Sequence, residues 1–222
     1  YRFDKVHTTA SNPVVRLQAR ATGSPAKIII KYLVIFFIFT KDLLLNFIFM
    51  KYYARTNIGK KYNHNEDAYA LPESNKKYNI EKPDIKNKGN LFVLCDGIGG
   101  LNAGEIASEL TSKWIIKDYY SIKDKSADLV SELKKIIQSV NIRIKKLAND
   151  NESYHGMGTT VATVLIINNK AFIYSVGDSR VYVLNDNKLK QITEDQSEVW
   201  QLYKSGCITK DELRFHPRNN II

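Results

Sequence analysis

Apolar and polar positions change rhythm several times along the chain. Leu91-Phe92-Val93-Leu94-Cys95 is an uninterrupted apolar run, short enough for a buried strand. Asp96 follows at once, where such a strand leaves the core, and Gly97, Gly99, Gly100 and Gly104 then permit a tight turn with close backbone approach. From Ala103 the apolar spacing becomes helical and puts Ile106, Ala107, Leu110 and Trp114 on one face. A second amphipathic helix is predicted from about Ala127 to Ala148, with Leu129, Leu133, Ile136, Ile137, Val140, Ile144 and Leu147 on its apolar side. Past Gly156-Met157-Gly158 come four β-branched runs, Thr159 to Ile167, Lys170 to Val176, Arg180 to Leu184 and Leu189 to Ile192. Asn168-Asn169, Gly177-Asp178 and Asp186-Asn187 separate them, each a hairpin signal, so the four runs predict one antiparallel sheet. Upstream, Tyr52 to Asn57 and Ala68 to Leu71 predict two more strands, and Pro72 to Asn90 reads as a polar loop. Strands, two helices, then strands argue for an α+β domain whose helices cover sheet faces. Thr193 to Ile222 is polar and mixed, with a short helix near Glu198 to Lys204.

Residues 1–49 do not read like the rest. Residues 28–49 are very apolar but are interrupted by Lys31, Lys41 and Asp42, and the clean run from Tyr32 to Thr40 is too short to span a bilayer. No small-residue cleavage site follows it. The first methionine is Met50, and the expectation is that translation starts there and that 1–49 is a non-native or disordered apolar leader. The alternative is a membrane-associating leader; on the favoured reading, association with a membrane is not expected. Of the formal net charge of +10, residues 1–49 carry seven Lys/Arg against two Asp/Glu, so half of the surplus lies there. No basic cluster interleaved with aromatics occurs, so nucleic acid is not an expected partner. The 222 residues suffice for one domain with a sizeable core, and two cysteines point to a reducing compartment, hence a cytoplasmic protein.

Three acidic signals stand beside predicted strand ends or turns: Glu66-Asp67, Asp96 and Asp178. Carboxylates and backbone carbonyls suit Mg²⁺ or Mn²⁺. His64, His155 and His216 are isolated and lack zinc spacing. Taken singly, each acid is best read as a solvated turn residue or a cap. The glycines after Asp96 lack the third glycine of a dinucleotide fingerprint, because Asn102 stands in its place. Neither Cys95 nor Cys207 opens a phosphate-cradling loop closed by an arginine; Cys95 reads as core. Ser179 and Arg180 read as structural hydrogen-bonding residues.

Asn65-Glu66-Asp67, Asp96-Gly97-Ile98-Gly99-Gly100 with Ala103-Gly104-Glu105, Gly156-Met157-Gly158-Thr159-Thr160, and Val176-Gly177-Asp178-Ser179-Arg180 occur in the order and spacing of the PPM (PP2C-type) protein serine/threonine phosphatases. The chain resembles the bacterial branch over 50–222, and 193–218 resembles its flap segment. The resemblance implies a four-layer α-β-β-α sandwich with two central, mainly antiparallel sheets, incomplete at the C-terminus, and a site for two Mn²⁺ or Mg²⁺ ions with a third in bacterial members. It further implies Asp96 as the aspartate bridging both metals, Gly97 as a carbonyl ligand, Glu66 as a ligand, Asp67 as the acid orienting metal-bound water, and Asp178 as a ligand of the third metal. A metal-bridging water would attack the phosphorus of phosphoserine or phosphothreonine. Phosphoprotein substrates, a serine/threonine kinase acting on the same targets, and a monomeric state are expected with it.

Two departures qualify that picture. Tyr62 stands where the family has the arginine that grips the substrate phosphate, and it donates one hydrogen bond without charge. Lys60 or Lys61 could supply a point charge nearby. The family's two further metal-binding aspartates lie downstream of the flap, and the sequence ends at Ile222, which reads as a truncation. Gln196 also replaces a common flap histidine. The alternative is therefore an inactive phosphatase-like binding or regulatory module.

Overall fold

The apolar run at 91–95 is the middle of a nine-residue strand, Asn90–Ile98, that does not stop at Asp96. It continues because it changes partners: residues 90–94 pair with Val161–Ile167, and Gly97 and Ile98 pair with Thr159 and Gly158. Asp96 therefore lies inside a strand, and its backbone is held there by Thr160.

The computed structural model describes residues 52–58, 64–72, 84–99, 103–124, 126–168, 170–185, 188–219 and 221–222. It also gives the backbone of five short strands before residue 50. These are β1 (Val15–Arg16), β2 (Lys27–Ile30), β3 (Leu33–Ile35), β4 (Thr40–Lys41) and β5 (Ile48–Phe49). After them come β6 (Asp67–Ala70), the short helix α1 (Ile85–Lys88), β7 (Asn90–Ile98), α2 (Ala103–Tyr120) and α3 (Leu129–Asp150). Then follow β8 (Gly158–Thr159), β9 (Val161–Ile167), β10 (Lys170–Val176), β11 (Val181–Asn185), β12 (Lys188–Gln191) and α4 (Glu198–Lys204).

The first sheet runs β1-β10-β9-β7-β6, with β8 also on β7, and the second runs β12-β11-β2-β3. Every pairing is antiparallel. β7 is buried on both faces, as its unbroken apolar run requires. Leu91, Val93 and Cys95 join the core beneath α2 and α3, and Phe92 and Leu94 join a second core that reaches Val181 and Val183 of β11. Helices, first sheet and second sheet thus stack as successive layers of an α+β fold.

Four expectations need correction. The runs from 159 to 192 do not form one sheet: β10 and β11 are not paired, and Gly177-Asp178 is a crossover between sheets, not a hairpin. Both edges of β10 are taken by β9 and β1, while Val181 is wholly buried in the inter-sheet core, so the chain crosses over. Tyr52 to Asn57 is no strand. It keeps an alternating exposure, and Tyr52 lays its ring edge-on to Phe92 at 5.3 Å, but it joins no ladder. The polar stretch before β7 contains α1, capped by the Asp84 carboxylate accepting from the Asn87 N–H at 3.3 Å. Finally, α2 buries Ala103, Gly104, Ala107, Ser108, Thr111 and Ser112 in its first half and Ile115, Ile116, Tyr119 and Tyr120 in its second, while of the predicted face Ala107 is buried and Ile106, Leu110 and Trp114 are half-buried against the same core. Small side chains let the N-terminal half of α2 lie close on the strands, as Gly104 against Glu66 shows, and large ones fill the core beneath its C-terminal half.

The other helix is as its periodicity implies. α3 buries Leu133, Ile137, Val140 and Ile144 and opens on Asp128, whose carboxylate accepts from the Val130 N–H. Among the described residues no helix is long and apolar enough to cross a membrane.

Candidate functional site

The structure brings Asp67 and Asp96 together at one end of the first sheet, with the Glu66 backbone beside them and Asp178 linked through its neighbour Ser179. Asp67 and Asp96 stand directly opposite each other in the β6–β7 ladder, so their side chains leave the same face. Alternation from Phe92 and Leu94 puts that face toward the second sheet. Glu66 comes one residue earlier, and its carbonyl accepts from the Gly97 N–H at 3.0 Å. The approach of 65–67 is fixed locally: Asn65 Oδ1 accepts from the Asp67 N–H at 3.1 Å, and Asn65 Nδ2 donates to Thr56 Oγ1 at 2.9 Å.

Two glycines make this juxtaposition sterically possible. A Cβ on Gly97 would lie 2.1 Å from the Gly104 carbonyl oxygen and 2.9 Å from that of Glu66. A Cβ on Gly104 would lie 2.9 Å from the Glu66 carboxyl carbon and 3.1 Å from both of its oxygens. The Glu66 carboxylate therefore rests on the first turn of α2, whose N-terminal partial positive charge favours it. His64 Nε2 lies 3.1 Å from Glu66 Oε1. Isolated in sequence, His64 is thus a partner of one of the acids, which nothing in its spacing signalled.

On the other side of β7, Thr160 accepts at Oγ1 from the Asp96 N–H at 3.0 Å and donates its own N–H to the Asp96 carbonyl at 2.9 Å. Thr159 Oγ1 donates to the same carbonyl at 3.0 Å. Thr160 Oγ1 also shares a 2.6 Å hydrogen bond with the buried Ser179 hydroxyl, one residue from Asp178. The crossover that carries Asp178 is in this way tied to Asp96. Next to it, Arg180 Nε donates to both carboxylate oxygens of the buried Asp195, at 2.7 and 3.0 Å. That partner lifts the guanidinium further above its already high pKa. Ser179 and Arg180 are structural residues, as expected, but the partners that give them meaning were not legible in the sequence.

Cys95 is wholly buried beneath α2, and desolvation pushes its thiol well above the ordinary range. It is inert core, whereas Cys207 is exposed.

Among the described residues no three Asp, Glu, His or Cys side chains stand close enough together to hold a metal ion unaided. What the structure does place near one another are oxygen-bearing residues: Asp67 facing Asp96 in the ladder, Glu66 with its backbone bonded to Gly97, and Asp178 on the crossover linked through Ser179 and Thr160. Hard oxygen donors suit Mg²⁺ or Mn²⁺, which commonly keep several waters and few protein ligands. The residues present fit such ions. Tyr62, Lys60 and Lys61 lie outside the described residues.

The family model for protein phosphatase 2C matches residues 81–207. The serine/threonine phosphatase stp of Listeria welshimeri is 35% identical over 173 residues, covering 76% of this chain and 63% of that protein. Protein phosphatase PhpP of Streptococcus pneumoniae is 36% identical over 141 residues, covering 60% of this chain and 54% of that protein. The chain thus spans less than two thirds of the length of these relatives. Among solved structures, the serine/threonine phosphatase Stp1 from Staphylococcus aureus aligns with TM-score 0.63 at 34% identity, over 75% of this chain and 61% of that one. The catalytic domain of the serine threonine protein phosphatase PstP, solved with two manganese ions, aligns with TM-score 0.56 at 30% identity, over 71% of this chain and 61% of that one.

Proposed function

The chain belongs to the protein phosphatase 2C family, and from that premise we propose that it hydrolyses phosphoserine and phosphothreonine in protein substrates with the help of Mn²⁺ or Mg²⁺. The observation that carries this is the register of Asp67 against Asp96 with Glu66 bonded to Gly97. Asp96, Glu66, Asp178 and the Gly97 carbonyl would hold the cations. When bound, such ions make water acidic enough to attack phosphorus and screen the charge of the phosphoryl oxygens. Asp67, facing Asp96 across the ladder, would accept a hydrogen bond from water at the site and orient it. Thr159 and Thr160 fix the Asp96 backbone and Ser179 anchors Thr160, so the strand that carries Asp96 is preorganised. Phosphoproteins are the substrates, and the kinase that makes them is the implied functional partner.

The test is hydrolysis of p-nitrophenyl phosphate and of a phosphothreonine peptide with Mn²⁺, with and without chelator, beside calorimetric titration of Mn²⁺. Chelation abolishes turnover, and Asp96→Asn lowers kcat/KM by about 100-fold or more and weakens Mn²⁺ binding. Retained Mn²⁺ affinity and unchanged turnover in Asp96→Asn would overturn the reading. The second reading, a non-catalytic module that binds phosphoproteins, is favoured by Tyr62 in place of an arginine. It predicts phosphopeptide binding without turnover. Under the enzymatic reading Tyr62→Arg lowers KM several-fold by adding a bidentate, charged phosphate contact.

A further inference from the structure

Gln196 stands at the start of the segment 193–218, yet its side chain closes on the crossover between β10 and β11. Its Oε1 accepts from the Gly177 N–H at 3.1 Å, and its Nε2 donates to the Ser175 carbonyl at 3.3 Å. Its own backbone N–H donates to the Gly177 carbonyl at 3.0 Å. Gly177 sits at φ +95, where other residues are strained, and a Cβ there would meet Thr160 Cγ2 at 2.8 Å. The turn is therefore pressed against Thr160 on one side and stitched by Gln196 on the other. Beyond Asp178, the Ser179 hydroxyl is anchored to Thr160, which holds the Asp96 backbone. Asp178 is thus suspended between two fixed neighbours, one tied to Asp96 and one tied to the segment from 193.

We infer that Gln196 is a positioning residue for Asp178: its amide fixes the crossover so that the Asp178 carboxylate is presented to the cation site beside Asp96. This rests on Asp178 acting as a cation ligand, as proposed above. An amide fits the task because it offers one acceptor and one donor on a single planar group. Glutamate keeps the acceptor for Gly177 but cannot donate to Ser175. Methionine keeps the length and offers neither bond.

The experiment compares Gln196→Met, Gln196→Glu, Asp178→Asn and the double variant Gln196→Met/Asp178→Asn in the full chain. Two quantities are read: hydrogen exchange at the Gly177 amide by NMR, and Mn²⁺ affinity by calorimetry. In Gln196→Met, protection of the Gly177 amide falls by about tenfold, and Mn²⁺ affinity falls by about 3- to 10-fold, as expected for one or two lost hydrogen bonds. Gln196→Glu keeps most of the Gly177 protection. The double variant binds Mn²⁺ no more weakly than Asp178→Asn, because the two changes act through one carboxylate. Unchanged protection in Gln196→Met, or losses that multiply in the double variant, would overturn the inference. Asp96→Asn separates this from the functional reading. If that variant binds Mn²⁺ as well as the unsubstituted chain, the phosphatase proposal fails, and Gly177 protection alone then decides for or against the latch.

Discussion

At the scale of single residues, the site depends on the absence of side chains as much as on the acids. A Cβ on Gly97 would strike the Gly104 and Glu66 carbonyl oxygens, backbone atoms that cannot swing aside. Gly97→Ala therefore costs about 3 kcal/mol or more, seen as a lowered urea midpoint with an unchanged slope. Gly104→Ala meets the movable Glu66 carboxylate instead. Its stability loss stays below about 1 kcal/mol, while Mn²⁺ affinity falls because Glu66 is displaced. The acids were legible in the sequence because of the motifs around them; the Glu66–Gly104 contact was not, since it joins residues far apart along the chain. The cysteines give a third expectation. Cys95 is buried with its thiol pKa raised, and Cys207 is exposed, so a disulfide-exchange reagent titrates one thiol in the folded protein and two after denaturation. The fold keeps the Cys95 proton where the unfolded chain, above about pH 8.5, gives its proton up. The contribution of Cys95 to stability is therefore complete below that pH and drains away as the pH rises past it, which urea midpoints between pH 7 and 10 would show.

At the scale of elements, the two long helices differ in how plainly the sequence announced them. α3 packs one stripe onto α2, and that stripe was visible in the spacing of its Leu, Ile and Val residues. Leu133 is fully buried in it, whereas Ile142 is 66% exposed on the opposite side. Leu133→Ala costs about 2–5 kcal/mol, and Ile142→Ala shifts the denaturation midpoint by no more than about 0.5 kcal/mol. α2 touches both the sheet and α3, so its buried surface is not a single apolar stripe. Its buried residues are Ala, Gly, Ser and Thr in the first half and Ile and Tyr in the second, and Trp114 is half-buried where the Arg143 guanidinium of α3 lies 4.6 Å from its ring and pairs with Asp118. A reading keyed to large apolar residues misses the buried face of the helix's first half, where close approach selects for small size, although Ile115, Ile116 and Tyr119 are wholly buried further along.

At the scale of the whole molecule, the chain leaves one sheet for the other at Gly177-Asp178, and the crossover is linked to the Asp96 strand through Ser179 and Thr160. The new strand is held by Arg180, which pairs with the buried Asp195 carboxylate, also bonded by Gln191 Nε2 at 3.0 Å. Arg180→Met leaves that carboxylate without its cation. It costs about 1–3 kcal/mol and speeds amide exchange from β11 through α4, which exchange mass spectrometry can follow. The membership of this chain in its family, the acids at Glu66, Asp67, Asp96 and Asp178, the strand at 91–95 and the one-sided helix α3 were all determined by local sequence, since each is a matter of residue type at short spacing. Which strands pair, that β7 runs on through Asp96, that the 177–178 turn crosses between sheets, and that Thr160, Ser179, Gln196 and Gly104 brace the acids were decided only in three dimensions. A turn signal specifies a local reversal of backbone direction. The partner of the next strand is chosen by whichever apolar face it can bury, and that depends on residues distant in the chain.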